Sequence, residues 1–95
     1  ENKSVLAIKL NDDLAVFQPI NAWPQPFDNV LQLEGAVLQG NTRYTLLDMT
    51  GRIVDDRSTL SHGRMTLEYA DLPAGAYVLR LRNAILDRSL RVVKR

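Results

Sequence analysis

The chain has 95 residues, of which 45% are hydrophobic and 24% charged, and a formal net charge of +1. That length suits one domain with one core, and the apolar content is too high for intrinsic disorder. The absence of cysteine excludes disulfides, zinc fingers and thiol catalysis, the near-neutral charge argues against nucleic-acid or membrane-surface binding, and no apolar run approaches the ~20 residues of a transmembrane helix.

The chain starts at Glu1 with neither methionine nor a signal-peptide pattern, which reads as a piece of a longer protein. Charge is uneven along it. Residues 49–95 carry nine Lys or Arg against five Asp or Glu, whereas residues 1–48 carry three against six. The basic side chains gather at the end, as Arg80, Arg82, Arg88, Arg91, Lys94 and Arg95.

Val5–Leu10 and Leu14–Phe17, split by Asn11-Asp12-Asp13, predict an opening hairpin; residues 1–17 either complete the domain or link it to an upstream one. Pro19, Pro24 and Pro26 keep residues 18–27 out of helix and out of a central strand. Val30–Glu34 predicts a short strand, ended by Gly35 and Gln39-Gly40-Asn41. In the next run Tyr44, Leu46 and Asp48 alternate with Arg43, Thr45 and Leu47. Thr50-Gly51 separates it from a strand over Arg52–Asp56. Ser61-His62-Gly63 predicts another break before Arg64–Tyr69, where Met65, Leu67 and Tyr69 share one face. After Asp71-Leu72-Pro73-Ala74-Gly75, the residues Tyr77, Leu79 and Leu81 alternate with Val78, Arg80 and Arg82. Ala84–Arg95 fits a helical face through Leu86, Leu90 and Val93, and also fits alternation through Leu90 and Val92; it is read as a final strand. Period-two alternation with turns every ~8–12 residues predicts an all-β, immunoglobulin-like sandwich of seven to eight short, mainly antiparallel strands.

Few residues invite a chemical role. Asp48-Met49-Thr50-Gly51-Arg52 has the chemistry of a type I turn with a glycine bulge. Leu72–Tyr77 predicts a corner in which the Tyr77 hydroxyl bonds upstream backbone. Asp12-Asp13 and Asp55-Asp56 raise calcium, but neighbours on a strand point to opposite faces, so Asp55 and Asp56 are not expected to share an ion; Asp12 and Asp13, in a turn, could share one, but nothing resembles an EF-hand loop and they read as solvated turn acids. His62 is the only histidine, sits in a predicted turn, and makes neither a metal site nor a catalytic triad with the scattered serines. No catalytic residue, metal site or cofactor is expected. Trp23, beside prolines, either covers one end of the sandwich or stacks on a sugar or a partner. The basic last strand reads either as a solvated face or as a charged terminus recognised by a protein; without interleaved aromatics it does not read as a nucleic-acid surface.

Several of these pieces stand in one order: Pro24-Gln25-Pro26-Phe27, the Val30–Leu33 strand, Tyr44-Thr45-Leu46-Leu47-Asp48-Met49-Thr50-Gly51-Arg52-Ile53-Val54, Leu72-Pro73-Ala74-Gly75-Ala76-Tyr77-Val78-Leu79-Arg80-Leu81, and the terminal Leu90-Arg91-Val92-Val93-Lys94-Arg95. Over residues 18–95 this order resembles the type A C-terminal sorting domain of the type IX (Por) secretion system of Gram-negative bacteria. Gln25 stands where that family usually has Asn, and Trp23 where it often has Tyr or Phe. The resemblance implies a non-catalytic, immunoglobulin-like domain at the end of a cargo protein. It implies transit through the periplasm and recognition by the outer-membrane translocon and its shuttle proteins. In many members it also implies cleavage by a sortase-like peptidase and attachment of the cargo to lipopolysaccharide at the cell surface. Recognition carries over to Val92, Val93, Lys94 and Arg95; Pro24, Pro26, Phe27, Asp48, Gly51, Gly75 and Tyr77 are then architectural. The alternative is an immunoglobulin- or fibronectin-type binding or accessory module of a cell-surface protein. A sugar-binding version needs Trp23 exposed alongside Tyr69 or Tyr44.

Overall fold

The computed structural model describes residues 19–95. The expected opening hairpin over residues 1–17 lies outside them. The strands are β1 (Asn21–Trp23), β2 (Val30–Asp48), β3 (Ile53–Glu68), β4 (Gly75–Arg82) and β5 (Asp87–Lys94). There is no helix among the described residues. All strand pairs are antiparallel, in the order β1-β2-β4-β5 with β3 on the other side of β2.

The frame of the molecule is one long bent hairpin, β2–β3. Its near half pairs Val30–Glu34 with Arg64–Glu68, and its far half pairs Gln39–Leu47 with Ile53–His62. Between them Glu34 faces Arg64 and Gln39 faces His62, so residues 35–38 of β2 stand against Gly63 alone. Surplus residues on one arm bend a hairpin. The near half then carries β1 and the far half carries β4 and β5. Gly35 sits where the chain folds back on itself: a Cβ there would lie 2.8 Å from the Pro19 carbonyl oxygen. Inside the bend, the hydroxyls of Thr42 and Ser61 share a 2.8 Å hydrogen bond and both residues are fully buried. The Asn83 carboxamide donates to Thr42 Oγ1 and to the Val37 carbonyl at 3.2 and 2.9 Å. Buried polar groups are thereby satisfied where the ladder is interrupted.

Both halves feed a single core. Leu31, Leu33, Met65 and Leu67 come from the near half; Tyr44, Leu46, Leu79, Leu81 and Val92 come from the far half and its neighbours. Apart from Leu31 and Leu33, these are the alternating positions read from the sequence. The strand number is different. Five strands stand within residues 19–95, where the sequence places six runs, because the runs on either side of Gln39-Gly40-Asn41 and of Ser61-His62-Gly63 are continuous and the short β1 is added; the other expected strands lie in residues 1–17, outside the described residues. Those polar and glycine residues pair with each other across the hairpin, as Gln39 with His62 and Gly40 with Ser61, so they bend the strands without ending them. The short strand β1 was not expected from the proline-rich stretch.

The remaining turns follow their local chemistry. The Gly51 amide donates to the Asp48 carbonyl at 3.0 Å and the Asp48 amide to the Arg52 carbonyl at 2.9 Å. Asp48 Oδ1 accepts from the Thr50 amide, the Thr50 hydroxyl and the Arg52 amide at 2.9, 2.6 and 3.1 Å. Gly51 has φ 88°, a left-handed conformation that a Cβ opposes. At the other corner the Tyr77 hydroxyl donates to the Pro73 carbonyl at 2.6 Å with its ring buried.

Candidate recognition site at the C-terminal strand

The last strand is held from two sides. On one side β5 pairs with β4 along its whole length, from Arg82–Asp87 to Gly75–Lys94. On the other side lies the segment Pro24–Phe27. The Phe27 amide donates to the Val93 carbonyl at 2.9 Å, and the Arg95 amide donates to the Phe27 carbonyl at 2.7 Å. Phe27 and Lys94 form a parallel bridge. The two prolines deprive this segment of amides, and the Gln25 side chain supplies what is missing. Its Oε1 accepts from the Val93 amide at 3.1 Å, and its Nε2 donates to the Arg91 carbonyl at 3.5 Å. The carboxamide thus stands in for one peptide group of a neighbouring strand. The Phe27 ring is fully buried, 6.3 Å from that of Tyr69.

This geometry divides the predicted recognition residues. Val92 is fully buried in the core, and Lys94 is 8% exposed, with its ammonium donating to the Arg95 carbonyl at 3.2 Å. Val93 is half-buried on the opposite face, and Arg95 is exposed, with Asp28 at 3.8 Å. The charged terminus is therefore half anchor and half surface. Burial of Lys94 is not visible in its residue type, because a lysine stem packs well over apolar neighbours. In the sequence Gln25 stands out only as a departure from the family pattern; its position between two prolines is the signal for its bonding role.

Electrostatics around β5 is mostly local pairing. Arg80 donates to Asp87 at 2.9 and 3.0 Å across β4 and β5. That hydrogen bonding holds the Asp87 carboxyl below its ordinary pKa. Arg43 donates to both oxygens of Asp56 at 2.9 and 2.6 Å, and Thr45 to one of them at 3.0 Å. Asp56 is held down to about 2, first by the Arg43 hydrogen bonds and then by Thr45. Asp55 points to the other face, where it accepts from the Tyr69 hydroxyl at 3.0 Å and from Arg57 at 2.9 Å. The divergence of Asp55 and Asp56 leaves no shared ion site. Among the described residues no group of at least three His, Cys, Asp or Glu side chains converges as metal ligands.

Elsewhere, an open cleft of about 540 Å³ lies between β3 and the following turn, lined by Val54, Asp55, Arg57, Glu68, Tyr69 and Leu72 among others. Burial, and then the Asp55 hydrogen bond, push the Tyr69 phenol well above its ordinary pKa. His62 is exposed at the bend. Trp23 is 41% exposed, but Tyr44 and Tyr69 are core residues, so the aromatic platform a sugar-binding module needs is not assembled.

No curated protein matches the chain. A solved structure, a DUF3244 family protein with an immunoglobulin-like β-sandwich fold from Bacteroides vulgatus ATCC 8482, resembles it with a TM-score of 0.57 and 21% identity, over 77% of this chain and 78% of that one. The fold is accordingly an all-β, immunoglobulin-like sandwich. Residues 21–95 match the family model described as the secretion system C-terminal sorting domain. With the proline clasp, the Asp48–Arg52 turn, the Tyr77 corner and the basic last strand all inside that match, the chain belongs to the type IX secretion C-terminal sorting-domain family.

Proposed function

We propose that this domain is a non-catalytic address that carries an attached cargo across the outer membrane through the type IX translocon, with its last strand as the part that is read. The family match over residues 21–95 carries the reading. Val92, Val93, Lys94 and Arg95 act as a unit. Val92 and Lys94 fix the strand, and Val93 and Arg95 offer their side chains to the translocon and its shuttle proteins. A folded, self-contained domain with its functional end locked in register suits an address that must survive the periplasm. Cleavage upstream of the domain by a sortase-like peptidase, and attachment of the cargo to lipopolysaccharide, belong to the same reading.

The test is sufficiency. The chain is fused to a periplasmically delivered reporter in a host with a type IX system, and reporter is measured in periplasm, surface and medium. Delivery to the surface or medium is expected. Reporter held in the periplasm with the domain folded would contradict the proposal.

A further inference from the structure

The segment Pro24–Phe27 that clasps β5 belongs to the loop between β1 and β2. Both feet of that loop are fastened away from β5. Trp23 pairs with Gln32 of β2, and the Asn29 carbonyl accepts from the Tyr69 amide at 2.8 Å. The loop can therefore lift from β5 while β1, β2 and β3 keep their pairing. Two side chains hold it down, and they differ in kind. Phe27 buries its ring and bonds β5 through its own amide and carbonyl. Gln25 reaches β5 through an exposed side chain, at 3.1 Å to the Val93 amide and 3.5 Å to the Arg91 carbonyl. In a regular parallel ladder the peptide groups two residues before Phe27 would fill both places. The carboxamide fills them only by freezing a flexible side chain, which costs rotamer entropy. Asp28, directly after the aromatic, faces Arg95 at 3.8 Å.

We propose that Pro24–Phe27 is a displaceable strap, and that an extended strand of a partner protein takes its place on β5. That strand runs parallel to Arg91–Arg95, seats an aromatic side chain where Phe27 sits, and carries a carboxylate beside Arg95. The strap is the template for each of these features. Its direction is given by the parallel bridge Phe27–Lys94, its seat by the buried Phe27 ring 6.3 Å from Tyr69, and its charge by Asp28. A partner strand without the prolines brings main-chain groups to Arg91 and Val93, where the strap brings a side chain. While the strap is down, the backbone of Val93 and Arg95 is withheld from edge-to-edge pairing. Its displacement offers that backbone together with the Val93 and Arg95 side chains. The inference rests on the sorting reading for its physiological setting and names the kind of segment that reads the last strand.

The probe is a fluorophore-labelled, amidated peptide, Ser-Gln-Thr-Phe-Asp-Thr, titrated by fluorescence polarisation against the full chain and two variants. A second peptide has serine in place of phenylalanine. Gln25→Ala, on an exposed side chain, loosens the strap and is expected to bind the first peptide several-fold more tightly than the unaltered chain does. Phe27→Ala empties the aromatic seat and binds it at least tenfold more tightly. Saturating peptide restores slow hydrogen exchange to the Val93 and Arg95 amides of Phe27→Ala. The serine peptide binds at least tenfold more weakly. Slow exchange at Leu79 and Leu81 checks that each variant is folded; if Phe27→Ala fails that check, Gln25→Ala carries the test. Equal affinity of Gln25→Ala and the unaltered chain, no binding to Gln25→Ala up to millimolar peptide, or equal binding of the two peptides would overturn the inference. Any of these results beside normal export of the reporter fusion leaves the sorting reading standing. Reporter held in the periplasm beside the expected peptide binding overturns the sorting reading and leaves the displaceable strap.

Discussion

Asp56 shows what a single side chain does here. Its carboxylate ties β2 to β3 through Arg43 and Thr45, and its pKa falls from 3.8 to about 2. A depressed carboxylate stabilises the fold fully above its unfolded value and loses that contribution as pH falls through the folded one. The melting-temperature gap between the native chain and Asp56→Asn is therefore expected to be constant above pH ~5 and to close between pH ~4 and ~2. A gap independent of pH would show that the bonds form without the charge. Tyr77 gives a second residue-level expectation. Tyr77→Phe removes a buried hydroxyl from the Pro73 carbonyl and should cost about 1 kcal/mol in urea unfolding. Both side chains were legible to a degree. The Tyr77 corner is written in Leu72–Tyr77, but Asp56 gave only the negative result that it does not share an ion with Asp55, since its partners Arg43 and Thr45 come from a register that the sequence does not print.

At the scale of elements, the alternation of Leu31 with Leu33, Met65 with Leu67, and Tyr77 with Leu79 and Leu81 marks the inner faces of β2, β3 and β4 without ambiguity. The joints are harder to read. Gln39-Gly40 and Ser61-His62 have the composition of chain reversals, yet they face one another in a bent hairpin. Local residue preference does not separate a bend from a turn, because both use glycine and short polar side chains. The last strand carries the largest consequence. Removing Val92–Arg95 takes away a fully buried valine and both backbone partners of Phe27, so this deletion does not leave the fold intact. Burial of the valine and the lost hydrogen bonds together imply a loss of about 3–5 kcal/mol, to be measured by chemical unfolding. Phe27→Ala, from the other side of the clasp, should cost a similar ~3–5 kcal/mol. It should also release the Val93 and Arg95 amides to fast hydrogen exchange while those of Leu79 and Leu81 stay protected. Protection of Val93 and Arg95 equal to that of Leu79 and Leu81 would mean that the Pro24–Phe27 segment stays on β5 without the Phe27 ring.

For the whole molecule, the bent β2–β3 hairpin explains how a chain of this size makes a sandwich without cysteine. One hairpin serves both halves, and the proline clasp fastens the final strand across from its start. The family match covers this unit, from β1 to Arg95. A deletion at the terminus confounds recognition with folding, so the decisive test keeps the anchors and changes only what faces outward. A reporter fusion carrying Val93→Ser with Arg95→Ser leaves Val92, Lys94 and the Phe27 hydrogen bonds in place, and its melting temperature is checked against the unaltered domain. The measurement is the fraction of reporter reaching the surface and medium of a type IX host. The account predicts that this fraction collapses, with folded reporter fusion accumulating in the periplasm. Export equal to that of the unaltered domain would contradict the claim that the outward side of the last strand is what the translocon reads.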